Sequence, residues 1–153
     1  MPAEENIIKQ LKEKFSIADD KIKTTRQRRI FLEVEAGDFR KVFDFALKQL
    51  KFVKLCAITG LDENEKLAVL YHLAQDEGVI LNIKISVPKE KPVIKTITDK
   101  FSVADAYERE LVDLFGIDVE GLKPGFRYPL PDGWPAGQYP LRKDWKPEVK
   151  NGK

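Results

Sequence analysis

Five ionisable side chains crowd one short stretch of the 153-residue chain: Asp105, Glu108, Arg109, Glu110 and Asp113. Carboxylates this close together could hold a metal ion or share a proton in general acid–base chemistry. Helical geometry argues against that use. On a helical wheel Asp105, Arg109 and Asp113 run down one face at i, i+4 and i+8, a spacing suited to ion pairs on a charged outer face. Val103, Ala104, Tyr107, Leu111, Leu114 and Phe115 form an apolar stripe, with Glu108 on one edge and Glu110 bordering the other. Glu108 therefore points away from the other acids. A carboxylate beside aromatic surface needs a partner, because an unpaired buried charge is very costly. Ser102 is placed to cap this helix, with Asp105 in the reciprocal position, and Gly116 to stop it.

Other chemistry is thinner still. One cysteine, Cys56, allows no disulfide within the chain and no iron–sulfur or zinc site built from thiolates. It lies in the apolar run 52–58 and is expected in the core. The one histidine, His72, lies in a strand-like run and is expected to be structural. No glycine-rich phosphate loop follows a strand, and no serine sits at a nucleophile elbow. A free-standing hydrolase or metalloenzyme is therefore a poor reading.

Charge excludes another class. The chain has 27 basic and 25 acidic residues, a net charge of +2, without the concentrated basic excess of a nucleic-acid binder. Arg26, Arg28 and Arg29 form the one basic cluster, read as a solvated strand end. Apolar runs fall far short of the roughly 20 residues that span a bilayer. Residues 1–6 are acidic, unlike a signal peptide. The expectation is a cytoplasmic chain with no membrane span of its own. Abundant Lys and Glu beside scarce Cys, Met and His resemble proteins of hot environments.

The elements that must position these residues follow from periodicity. Ile7, Ile8, Leu11 and Phe15 have helical spacing. Strands are expected over 21–24 and 29–35. Gly37-Asp38 then starts an amphipathic helix carrying Phe39, Val42, Phe43, Ala46, Leu47 and Leu50, with Asp38 as N-cap. Three more strands, 52–59, 67–73 and 79–87, joined by short links, predict an antiparallel meander with packed helices, closed by Pro88 and Pro92. The fold class is α+β, with a body over 1–115 and an extended arm over 116–153. That arm holds six Gly and six Pro in 38 residues, a density that forbids regular structure. It also carries Phe126, Tyr128, Trp134, Tyr139 and Trp145, unlike a disordered tail. Such a segment is expected to become ordered on a partner, with its tryptophans exposed when the chain is alone. Its aromatics could stack single-stranded bases, but its nearly balanced charge argues otherwise.

The run Tyr107-Glu108-Arg109-Glu110-Leu111-Val112-Asp113-Leu114-Phe115-Gly116-Ile117 resembles the signature E-R-E-x-x-D-x-F-G-I of the 30 kDa subunit family of respiratory complex I. Tyr139-Pro140-Leu141-Arg142-Lys143-Asp144-Trp145 is similar to that family's H-P-L-R-K-D-[YF]. Between them, Arg127, Leu130, Pro131 and Trp134 match R-x-x-L-P-x-x-W. Two histidines usual in respiratory members are replaced, at Gly121-Leu122-Lys123 and at Gln138-Tyr139. That departure looks more like the homologous subunits of energy-converting membrane-bound [NiFe] hydrogenases and their archaeal relatives.

The resemblance implies a cofactor-free, non-catalytic subunit on the peripheral arm of a membrane-bound oxidoreductase complex, on the cytoplasmic side. Its partners would be a large catalytic subunit and an iron–sulfur small subunit, which would carry the iron–sulfur clusters and the [NiFe] centre. A quinone- or sulfur-linked complex is the alternative. The matched residues would be structural or interface elements. Glu108 and Arg109 would hold the helix against the arm, and Arg142 and Asp144 would anchor the arm's end on the partner.

Overall fold

The computed structural model describes residues 3–149. They form two compact units, one of residues 3–59 and 68–86, the other of 60–67 and 87–149. The helix carrying the acidic cluster and the residues that follow it fall in the second unit.

In the first unit, helix α1 (Ala3–Phe15) turns Ile7 and Leu11 inward. A short 3-10 turn, Asp19–Lys21, leads into the hairpin β1 (Ile22–Arg26) and β2 (Arg29–Glu33), and the basic cluster lies at this hairpin's turn. Arg28 there has φ 59, and its N–H donates to the Glu4 carboxylate. Helix α2 (Phe39–Lys48) buries Phe39, Val42, Phe43 and Ala46. Asp38 occupies its N-cap position, but the side chain makes no capping bond.

Strands β3 (Lys54–Asp62), β4 (Lys66–Ala74) and β5 (Ile80–Pro88) complete a five-stranded sheet of order β1-β2-β5-β4-β3. In β5 Leu81, Ile83, Ile85 and Val87 are buried while their neighbours are half-covered, as period-two alternation requires. Tyr71 of β4 is fully buried, stacked at 4.3 Å on Phe39 of α2. Each such fully buried large side chain contributes about 1.5–3 kcal/mol.

β3, β4 and β5 lie side by side in chain order, as the predicted meander requires, but the sheet as a whole is mixed. β2 and β5 are parallel, with Ile30 beside Leu81 and Leu32 beside Ile83. The chain leaves β2, runs through α2 and the β3–β4 hairpin, and inserts β5 next to β2. Parallel neighbours need such a long connection, so short links alone did not define the order.

One predicted placement fails here. Cys56 is exposed, not in the core, because β3 is an edge strand and lacks a second neighbour. His72 is structural, as expected. Its Nδ1 lies 2.6 Å from Asn82 Oδ1 and its Nε2 2.9 Å from Thr59 Oγ1. Asn82 in turn donates to the Ile30 carbonyl at 3.1 Å.

Candidate functional site

The second unit contains all three motif blocks. Its regular elements are β6 (Val93–Lys95), α3 (Ala104–Phe115) and β7 (Asp118–Glu120), with β6 and β7 paired in parallel. β7 departs from the expectation that the segment after Gly116 holds no regular structure. α3 ends as its sequence requires: Gly116 has φ 69, a left-handed conformation that is cheap only for glycine. At the other end Val103 is the N-cap residue and makes no side-chain bond. Ser102 does not cap the helix, and the Asp105 carboxylate is held by Arg109 instead.

Glu108 is fully buried. Its Oε1 accepts the Ile97 N–H at 2.7 Å, and its Oε2 accepts the Thr96 hydroxyl at 2.6 Å. The signature glutamate therefore closes the backbone that enters the helix and does not hold the arm, which corrects the role expected for it. Burial pushes its carboxyl above the usual range, although the Thr96 and Ile97 bonds pull the other way.

Two charged residues of α3, Arg109 and Asp113, do hold the arm. Arg109 grips Asp105 through two bonds of 2.8 and 3.0 Å and donates to the Lys123 carbonyl at 2.8 Å. Gly125 lies against this guanidinium, where a Cβ would come within 2.9 Å of a nitrogen. Asp113 is buried rather than on a charged outer face. It accepts the Leu130 N–H at 3.1 Å and Arg127 Nε at 3.4 Å. Arg127 also donates to the Trp134 carbonyl at 2.7 Å. Glu110 is half-buried on the same helix.

The last motif meets the C-terminal end of α3, where helical carbonyls lack partners. Leu141 N–H donates to the Leu114 carbonyl at 3.1 Å, and Arg142 Nε to that of Phe115 at 2.7 Å. The Arg142 guanidinium lies 4.9 Å from the Tyr139 ring centroid, within reach of a cation–π contact. The Tyr139 ring covers Gly116 so closely that a Cβ there would overlap it. Trp134 and Trp145 pack at 5.9 Å and share Gln138, whose carbonyl takes Trp134 Nε1 and whose side chain takes Trp145 Nε1. Both tryptophans are half-buried, not exposed as expected for the chain alone. Pro140 is half-covered beside them.

One participant was missed. Asp62, at the end of β3, accepts the Lys89 ammonium and the N–H groups of Lys143 and Asn64, each at 2.8 Å. Lys89 also pairs with Asp144 at 3.1 Å. Burial alone would raise the Asp62 carboxyl, but these donors outweigh it and hold the pKa at about 2. The only sequence hint was Asp62-x-Asn64, the pattern of a side chain bonding the backbone two residues on.

What stays outward is apolar: Phe126 is 81% exposed, and Leu141, Tyr128 and Val112 are exposed with it. Among the described residues no three His, Cys, Asp or Glu side chains group as a metal-ligand set. The arrangement is a helix with a segment stitched along it. Arg109, Asp113, Arg127 and Arg142 make internal bonds, while Phe126, Tyr128, Leu141 and Val112 stand exposed near them.

Residues 32–151 match the family described as "Respiratory-chain NADH dehydrogenase, 30 Kd subunit". The chain belongs to this family.

In this chain the three blocks bond to one another, Arg127 and Leu130 to Asp113 and Leu141 and Arg142 to the end of α3. Membrane-bound hydrogenase subunit beta of Pyrococcus furiosus is 32% identical over 163 aligned positions, covering 99% of this chain and 93% of its own. A subunit of the F(420)H(2) dehydrogenase of Methanosarcina mazei is 32% identical over 92% of this chain and 90% of its own. A chain in the solved structure of a membrane-bound sulfane sulfur reductase, an archaeal respiratory membrane complex, superposes with a TM-score of 0.81. It is 29% identical, over 93% of this chain and 85% of that one. The relatives are thus subunits of multi-subunit oxidoreductase complexes. No helix among the described residues is long and apolar enough to cross a membrane.

Proposed function

We propose that this chain is the peripheral-arm subunit of a membrane-bound, hydrogenase-like oxidoreductase complex, bracing a large catalytic subunit without contributing an active site. The observation that carries this is the near end-to-end match to a membrane-bound hydrogenase subunit, 99% of one chain against 93% of the other. The internal bonds of Glu108, Arg109, Asp113, Arg127 and Arg142 support a bracing role. The exposed Phe126, Tyr128 and Leu141 would meet the large subunit, since aromatic and aliphatic anchors dominate stable interfaces. Iron–sulfur clusters and a [NiFe] centre would reside in the partner subunits, and the chain would sit on the cytoplasmic face.

A second reading has its own support. The TM-score of 0.81 to a chain of a sulfane sulfur reductase complex makes sulfur, rather than protons, a competing electron acceptor. Deleting the chain from its source organism separates the two. Loss of at least tenfold in hydrogen evolution by washed membranes, with reduced viologen as donor, is expected for the first. Intact hydrogen evolution with lost sulfide production selects the second, and retention of both contradicts a role in either complex.

A further inference from the structure

The two edges of the five-stranded sheet are built differently. An edge strand turns the N–H and C=O groups of every second residue outward, a template for another strand, and proteins usually blunt it. β1 is blunted. It has five residues, carries Lys23 and Arg26, and shifts register between Thr24 and Arg26. β3 is not. It runs nine residues without proline, and residues 55–59 (Leu, Cys, Ala, Ile, Thr) carry no charge. Its neighbour in the sheet is β4, and the order ends there. The exposed Cys56 and Thr59 show that this edge is reached by solvent. Lys54, the charge at its start, is already paired with Asp76 at 2.7 Å.

We infer that residues 54–59 of β3 receive an extended, uncharged segment of the large partner subunit as a sixth strand. With Lys54 paired inside the chain, the incoming segment meets a neutral backbone ladder. It needs β-branched or apolar residues and no compensating charge. A second copy of this chain is the poorer occupant. A five-residue strand pair buries only a few hundred Å², roughly a quarter of what a stable interface needs. The added strand therefore belongs to a partner that also contacts the chain elsewhere, so this inference rests on the subunit role proposed above.

Residue-resolved hydrogen–deuterium exchange on the isolated chain and on the detergent-solubilised complex tests it. Alternate amides within 54–59 should exchange freely in the isolated chain and slow at least tenfold in the complex. The same amides exchanging alike in both, or uniform slowing without alternation, overturns the added strand while leaving the subunit role intact. Protection that already grows with concentration in the isolated chain assigns the edge to a second copy and overturns the partner strand. A chain found in no complex removes the subunit role and this inference with it. Cys56→Lys, which puts a charge on the edge, should cut incorporation about tenfold without changing the isolated chain's Tm. Normal incorporation of that variant contradicts the added strand.

Discussion

Glu108 shows what a buried acid does when neutral donors satisfy it. Its two oxygens close the Ile97 N–H and the Thr96 hydroxyl, so either an ionised carboxylate or a neutral isostere can serve. Glu108→Gln should therefore fold with a Tm within a few degrees of the parent. Glu108→Ala leaves the buried Ile97 N–H unpaired and should cost about 1–3 kcal/mol by denaturant unfolding. The sign of the pH effect follows from the raised carboxyl. The folded state binds the proton more tightly than the unfolded one. Stability contributed by this group is present below the ordinary value of 4.5 and is lost as pH rises through the higher folded value. Glu108→Gln should remove that part of the pH dependence. Asp62 behaves oppositely. Its pKa falls from 3.8 to about 2, so its contribution, on the order of 2 kcal/mol, is present above 3.8 and lost as pH drops toward 2. Asp62→Asn should flatten the acid side of a Tm-against-pH curve.

At the scale of elements, two glycines fix how closely α3 is approached. A Cβ on Gly60 would lie 2.5 Å from a ring carbon of Phe115, so Gly60→Ala should cost about 1–3 kcal/mol by thermal unfolding. Gly116→Ala combines a positive φ with overlap on the Tyr139 ring and should cost at least as much. Helix α2 and strand β5 were legible from periodicity because each buries one face over several repeats. β6 and β7, at three residues each, are too short to show a period beside Pro92 and Gly121. The parallel pairing of β2 with β5 joins residues far apart along the chain, such as Ile30 and Leu81, which local spacing cannot encode. The buried Asp113 was invisible for a related reason: a helical wheel counts charges as solvated, and only the folded-back segment from Arg127 to Leu130 covers this one. Cys56 failed because apolar runs do not tell an edge strand from a central one. The motif residues themselves were found from the sequence, but their bonding to one another was not.

At the scale of the molecule, several charged motif residues face inward while aromatic and aliphatic side chains nearby face out. Arg109, Asp113, Arg127, Arg142 and Asp144 make bonds within the chain, while Phe126 stands outward at 81% exposure on a loop held on both sides. Phe126→Ala should thus leave the isolated chain's stability within about 0.5 kcal/mol. In the complex it should weaken retention of the chain by the ~2 kcal/mol or more of an interface anchor. The family relationship places the chain among subunits of membrane-associated oxidoreductases, and an assembled particle is the central expectation. The most direct measurement is native electrophoresis of mildly solubilised membranes, with the band containing this chain analysed by mass spectrometry. A band of several hundred kilodaltons holding a large catalytic subunit and an iron–sulfur subunit is predicted. Recovery of the chain only as a 17.6 kDa species in the soluble fraction would contradict it.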